Sequence, residues 1–223
     1  MLKKEIIQRI KQKGTDLIQV ANRVIENPDA VQEIIEVIRT EKGSTKFRCE
    51  KVLRLVSERN PKIIYPHFDL FAEWLDSDNT FLKCGAVLTI ANLTSADNQG
   101  KFEKIFDKYY SLVQGPSLIH AANAIRGSIQ IALSKPKLID KIIKEILKVE
   151  KADYENKSVL SPECKNVACG QAVMAFDRLY DKINDKAPVV RFVKRQLHST
   201  RKSVAKSAEK FLRIHRISVQ HDR

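Results

Sequence analysis

Phe68-Asp69-Leu70-Phe71-Ala72-Glu73-Trp74-Leu75-Asp76-Ser77-Asp78-Asn79-Thr80-Phe81-Leu82-Lys83-Cys84-Gly85-Ala86-Val87-Leu88-Thr89-Ile90-Ala91-Asn92-Leu93 decides the fold. Phe68, Phe71, Ala72 and Leu75 recur at the i, i+3, i+4, i+7 spacing of one helix face. Leu82, Ala86, Ile90 and Leu93 form a second such face, after a turn at Asp76-Ser77-Asp78-Asn79 that supplies capping side chains, with Asp76 or Asp78 expected as the N-cap. Two helices joined by a short polar turn are therefore predicted. Upstream, Val31, Ile34, Ile35 and Ile38 form one stripe and Gly43-Ser44 stops it. Cys49, Val52, Leu53 and Val56 form the next, which ends near Asn60-Pro61.

The pair recurs along the chain. Aligning the second helix of each pair on a small or medium residue gives Cys49, Ala86, Ala122, Ala172 and Ala208, at intervals of 37, 36, 50 and 36. Four residues later stand Leu53, Ile90, Arg126, Phe176 and Leu212, so Arg126 alone breaks an apolar column. The first helices keep step too: the stripes Ile34 and Ile38, Phe71 and Leu75, and Val193 and Leu197 each end 11 residues before their anchor. In the fourth pair Leu147 lies 14 residues too early, so Glu150 to Pro162 is predicted to leave the stack as a surface loop. Two helical stripes, Leu2, Ile6, Ile10 and Leu17, Val20, Val24, Ile25, broken at Gly14 and Asn27-Pro28, precede the pairs.

The expected fold is all-α: an α-solenoid of about five helical pairs with an N-terminal helical cap, because one pair cannot bury its own apolar face and a stack can. Residues 1–223 are expected as a single domain, with a cap at 1–27, four pairs at 28–183 carrying the insertion at 150–162, and a basic pair and tail at 186–223. The unit Leu82-Lys83-Cys84-Gly85-Ala86 through Leu93, following Asp76-Ser77-Asp78, resembles the HEAT-repeat family, with an Asp in the turn, an apolar-basic pair and then spaced small residues. Lys46 fits the basic position of that motif, whereas Ile119, Cys169 and Ala205 do not. The resemblance implies extended helical surfaces that hold a partner.

Of 223 residues 43% are apolar and 30% charged, with only 7 Gly and 7 Pro, which suits a folded helical protein and argues against a turn-rich sandwich or barrel. The start lacks the apolar core of a signal peptide, and Tyr109 to Ile125, the longest stretch without a charge, is interrupted by Gly115-Pro116. No membrane span is expected. Cys49, Cys84, Cys164 and Cys169 fit reduced thiols, and a cytoplasmic location is expected.

No phosphate-binding Gly loop, Gly-x-Ser-x-Gly elbow or His-Glu-x-x-His helix occurs, so no catalytic residue, cofactor or metal is assigned. Cys164 and Cys169 with His198, His215 and His221 lack the tight Cys pairing usual for zinc. HEAT-like solenoids include the DNA-alkylation-repeat glycosylases, and Trp74 with Asp76 and Asp78 invites that comparison. Their aromatics and Asp line a groove from second helices, however, whereas Trp74 closes a first helix, where packing at a repeat boundary explains it.

Charge is the remaining signal. Lys and Arg total 40 against 27 Asp and Glu, and residues 186–223 carry a local balance of +9 out of the net +13. Arg191, Lys194 and Arg195 stand opposite Val190, Val193 and Leu197; Lys202, Lys206, Lys210 and Arg213 run at helical spacing away from Val204, Ala208, Phe211 and Leu212. A solvated helix face explains polarity but not a single sign. These seven residues are the expected contact surface of a non-enzymatic scaffold for an acidic protein surface; the alternative is DNA or RNA held through its phosphates. Few aromatics are interleaved, so base stacking is not indicated.

Overall fold

The computed structural model describes residues 2–218; His221 of the terminal histidine group and Arg223 of the basic segment lie outside them. Helix accounts for 76% of the described residues, and the strands among them form one two-stranded ribbon, too small a sheet to organise a core. The chain divides into two compact units, Met1–Phe106 and Asp107–Arg223.

In the first unit, α1 (Leu2–Lys11) and α2 (Leu17–Glu26) are separated at Gly14, whose φ of 81° is left-handed and suits glycine. Asp16 caps α2 by accepting from the Ile18 amide at 2.8 Å. The next pair, α3 (Ala30–Thr40) and α4 (Ser44–Arg59), turns at Gly43, and all eight predicted stripe residues, Val31 through Val56, are buried. Arg48 on α4 donates to the carbonyls of Ile10 and Gln12 at 2.5 and 2.8 Å, satisfying acceptors left open where α1 ends.

The following pair starts earlier than its stripe suggests. Pro61 opens a short α5 (Pro61–Ile64), a 3₁₀ turn at Tyr65–His67 follows, and α6 (Phe68–Trp74) continues from it. Proline at a first helical position is tolerated, whereas Pro66 cannot donate within a continuous α-helix, so the helix is segmented. The expectation of an Asp cap on α7 (Thr80–Leu93) is corrected: Asn79 is the cap, accepting from the Phe81 and Leu82 amides at 3.1 Å each. An N-cap must sit directly before the first helical residue, and Asp76 and Asp78 are too early in the turn. Leu82, Ala86, Ile90 and Leu93 are buried as predicted, and α7 and α2 both pack on α4. Asp97 accepts from Tyr65 Oη at 2.6 Å and from the Lys101 and Phe102 amides, which starts α8 (Lys101–Gln114).

The unit boundary falls within α8. In the second unit α9 (Leu118–Ser134) packs on α11 (Pro162–Leu179), which packs on α13 (Lys202–Ile214); α10 (Ile139–Leu147) and α12 (Ala187–Gln196) are the first helices of the last two pairs. The aligned column needs one correction here. Ala122 is half-buried and Arg126 exposed, whereas Ala121 and Ile125 are fully buried. The stripe therefore runs one residue earlier, and with Ile125 in the column the apparent break at Arg126 disappears. Equal spacing assumed connections of equal length, and Ala121 follows Ala86 by 35 residues instead of 36, while Tyr110 still precedes it by 11.

The insertion also differs from a plain loop. Ala152 and Tyr154 are buried; Tyr154 Oη donates to the Val113 carbonyl at 2.6 Å, and the Glu155 amide donates to the Pro116 carbonyl at 2.9 Å. The exposed remainder is a hairpin of β1 (Glu155–Asn156) and β2 (Val159–Leu160). Its two turn residues, Lys157 and Ser158, have φ of 52° and 63°, the two positive values that a type I′ turn requires.

Candidate partner-binding surface

On α12 the buried face consists of Val189, Phe192, Val193 and Gln196, with Val190 and Leu197 only half-buried. On α13 it consists of Val204, Ala208, Phe211 and Leu212, as predicted. Apolar residues at this period commit one side of each helix to the core and leave the intervening positions to solvent. Arg191, Arg195, Lys202, Lys206, Lys210 and Arg213 are exposed there, and Lys194 is half-buried.

These seven cations are not equivalent. Arg195 holds Glu150 in a two-pronged contact, Nε to Oε1 at 2.9 Å and a terminal nitrogen to Oε2 at 2.6 Å, and Gln196 adds a bond to the same carboxylate at 3.2 Å. This hydrogen bond to Glu150 raises the Arg195 pKa. Arg195 thus joins the inserted segment to α12 and offers a partner less than its sequence position suggests. Arg201, just before α13, is likewise taken up by Glu163. By contrast, Arg191, Lys194, Lys202, Lys206, Lys210 and Arg213 form no ion pair within 4 Å among the described residues. Arginines on the earlier second helices differ as well: Arg54 lies between Glu50 and Glu58, Arg126 bonds Asn123, and Arg178 is exposed.

Beside the α13 stripe lies a groove of about 840 Å³, with Ile129, Val173 and Phe211 among its apolar lining residues. Met174 on α11 and Ile214 on α13 border it and are 56% and 50% exposed. His215 Nε2 donates to Asp177 Oδ1 at 2.9 Å, and its ring is set between Tyr180 and Phe211, at 4.2 and 4.5 Å between centroids. Arg178 and Lys210 also line the groove. Sequence reading missed Met174 and Ile214. The signal available was that each is a large apolar residue standing off the buried stripe of its own helix.

The cysteines remain thiols, and burial pushes Cys49 up to about 12 and Cys169 up to about 11, which disfavours the reactive thiolate. Trp74 packs edge-on against Phe71, at 5.1 Å between centroids. No group of three or more metal-ligating side chains occurs among the described residues, and no helix there is long and apolar enough to cross a membrane.

With this geometry in view, comparison with solved structures places the fold. A designed armadillo repeat protein, determined in complex with the peptide (KR)4, matches with a TM-score of 0.58 and 14% identity over 94% of this chain and 97% of its own. A second designed armadillo repeat protein matches with a TM-score of 0.53 and 16% identity over 96% of this chain and 99% of its own. The fold is an armadillo-like α-solenoid of helical repeats. No family model and no curated protein matches the sequence.

Proposed function

We propose that the protein is a non-enzymatic, HEAT-like scaffold that holds an acidic protein segment through its second-helix surfaces and the basic face of α12 and α13. The observation that carries this reading is the set of unpaired cations, Arg191, Lys194, Lys202, Lys206, Lys210 and Arg213, beside two arginines already neutralised by glutamates. Cations that serve only to solvate a helix are commonly interspersed with acids, and α13 holds Glu209 alone against four basic residues. A single-sign field attracts opposite charge over roughly a Debye length. The peptide complex of the designed armadillo protein supports the scaffold reading, although its (KR)4 peptide has the opposite charge to the segment proposed here.

Nucleic acid is the second reading, since phosphates meet the same unpaired stripe. Reversing Lys206 and Arg213 to Glu separates the two. Binding of a labelled polyglutamate peptide is expected to fall by about tenfold or more with helical content unchanged, because exposed substitutions shift stability by only about 0.5 kcal/mol. A nucleic-acid surface would instead show duplex binding whose salt slope falls by about one unit per lost phosphate contact.

A further inference from the structure

The groove between α11 and α13 supplies what a charged stripe lacks, namely an apolar contact that selects one acidic segment from others. Large apolar side chains scattered singly on a surface need no explanation, but Met174 and Ile214 stand together at one concavity that Ile129 and Phe211 also line. Its volume of about 840 Å³ accommodates several side chains of a partner. Two cations and two carboxylates line it, and the surplus of positive charge comes from α13 alongside. Arg178 and Lys210 line it, and Lys206 and Arg213 continue the same sign along α13. Asp177, which accepts from His215, and Asp181 are the carboxylates that line it. The imidazole, held by Asp177 and flanked by Tyr180 and Phe211, fixes the end of α13 against α11, so the groove is preformed.

We infer that this groove is the docking site for an acidic peptide segment that inserts apolar side chains beside Met174 and Ile214 while its carboxylates reach Arg178 and Lys210. This rests on the acidic-partner reading above and adds the requirement for apolar anchors. Coulomb attraction alone is weak and non-selective at a wet surface, whereas burying one large apolar side chain contributes about tenfold or more in affinity.

The test uses the full chain with two fluorescein-labelled synthetic peptides of equal length and charge, one of Glu and Leu, the other of Glu and Gln, and a DNA duplex as third probe. The Glu–Leu peptide is expected to bind about tenfold or more tightly than the Glu–Gln peptide. Replacing Met174→Ser and Ile214→Ser together removes apolar area without adding charge. That variant is expected to bring the Glu–Leu peptide within about twofold of the Glu–Gln peptide, whose own binding stays unchanged. Both residues are about half exposed, and circular dichroism of the variant checks that the helices persist. Equal binding of the two peptides, unaltered in the variant, overturns the groove proposal while the acidic-partner reading stands. Binding of the duplex with neither peptide bound overturns that reading and the groove with it.

Discussion

The carboxyl group of Glu50 on α4 lies directly against Gly85 on α7, so close that a Cβ at position 85 would overlap it down to Cγ. Glu50 is 8% exposed and its Oε1 has no hydrogen-bond partner among the described residues; Arg54 Nε approaches only to 3.9 Å. Glycine in the middle of a helix costs about 1 kcal/mol relative to alanine, and here the missing side chain makes room for the buried acid.

That contact predicts that the two positions are coupled. Gly85→Ala is expected to displace the flexible Glu50 side chain, so that its gain in helix propensity of about 1 kcal/mol is largely offset. In a Glu50→Ala background the obstruction is gone, and the same substitution is expected to stabilise by about 0.5–1 kcal/mol through helix propensity. Chemical denaturation of the four proteins of this cycle measures it, and additive effects would refute the contact.

Burial raises the pKa of Glu50 from 4.5 to about 7, with Arg54 and Lys51 lowering it and Glu58 raising it by smaller amounts. The folded state therefore holds a proton that the unfolded chain releases. This favours folding most below about pH 4.5; the stabilisation declines as pH rises and is lost through about pH 7, a change on the order of 3 kcal/mol. Glu50→Gln stays neutral throughout. The difference in stability between the variant and the native protein is expected to grow from about pH 5 to pH 8, as read from denaturation midpoints.

The insertion is anchored at one end and open at the other. Trypsin is expected to cut after Lys157, at the exposed hairpin turn, before Lys151, whose neighbour Ala152 is buried. Tyr154→Phe, which loses the bond to the Val113 carbonyl, is expected to cost about 1 kcal/mol and to hasten that cleavage. Earlier cutting at Lys151 would count against an anchored segment.

Arg195 and Lys206 should separate structure from binding. Arg195→Ala releases Glu150 and is expected to cost about 0.5–1 kcal/mol in thermal unfolding, less in high salt because the arginine is half exposed. Lys206→Ala is expected to leave stability within about 0.5 kcal/mol and to weaken the polyglutamate peptide. Equal stability losses would mean that the paired and unpaired cations are not distinct.

Periodicity alone assigns Val31 through Val56, Leu82 through Leu93 and Val204 through Leu212 to buried stripes on paired helices, because a period of 3.6 residues is a local property of the chain. It also placed the cations of α13 on the opposite side. Features that depend on distant partners were fixed by packing. Ala121 and Ile125 replaced Ala122 and Arg126 in the core because packing, not equal spacing, sets which side of α9 is buried. Arg195 was taken up by Glu150, 45 residues away, and Met174 met Ile214 at one groove through the packing of α11 on α13. Helical periodicity records which way a side chain points along its own helix, while the identity of the group it meets is fixed only when two helices pack.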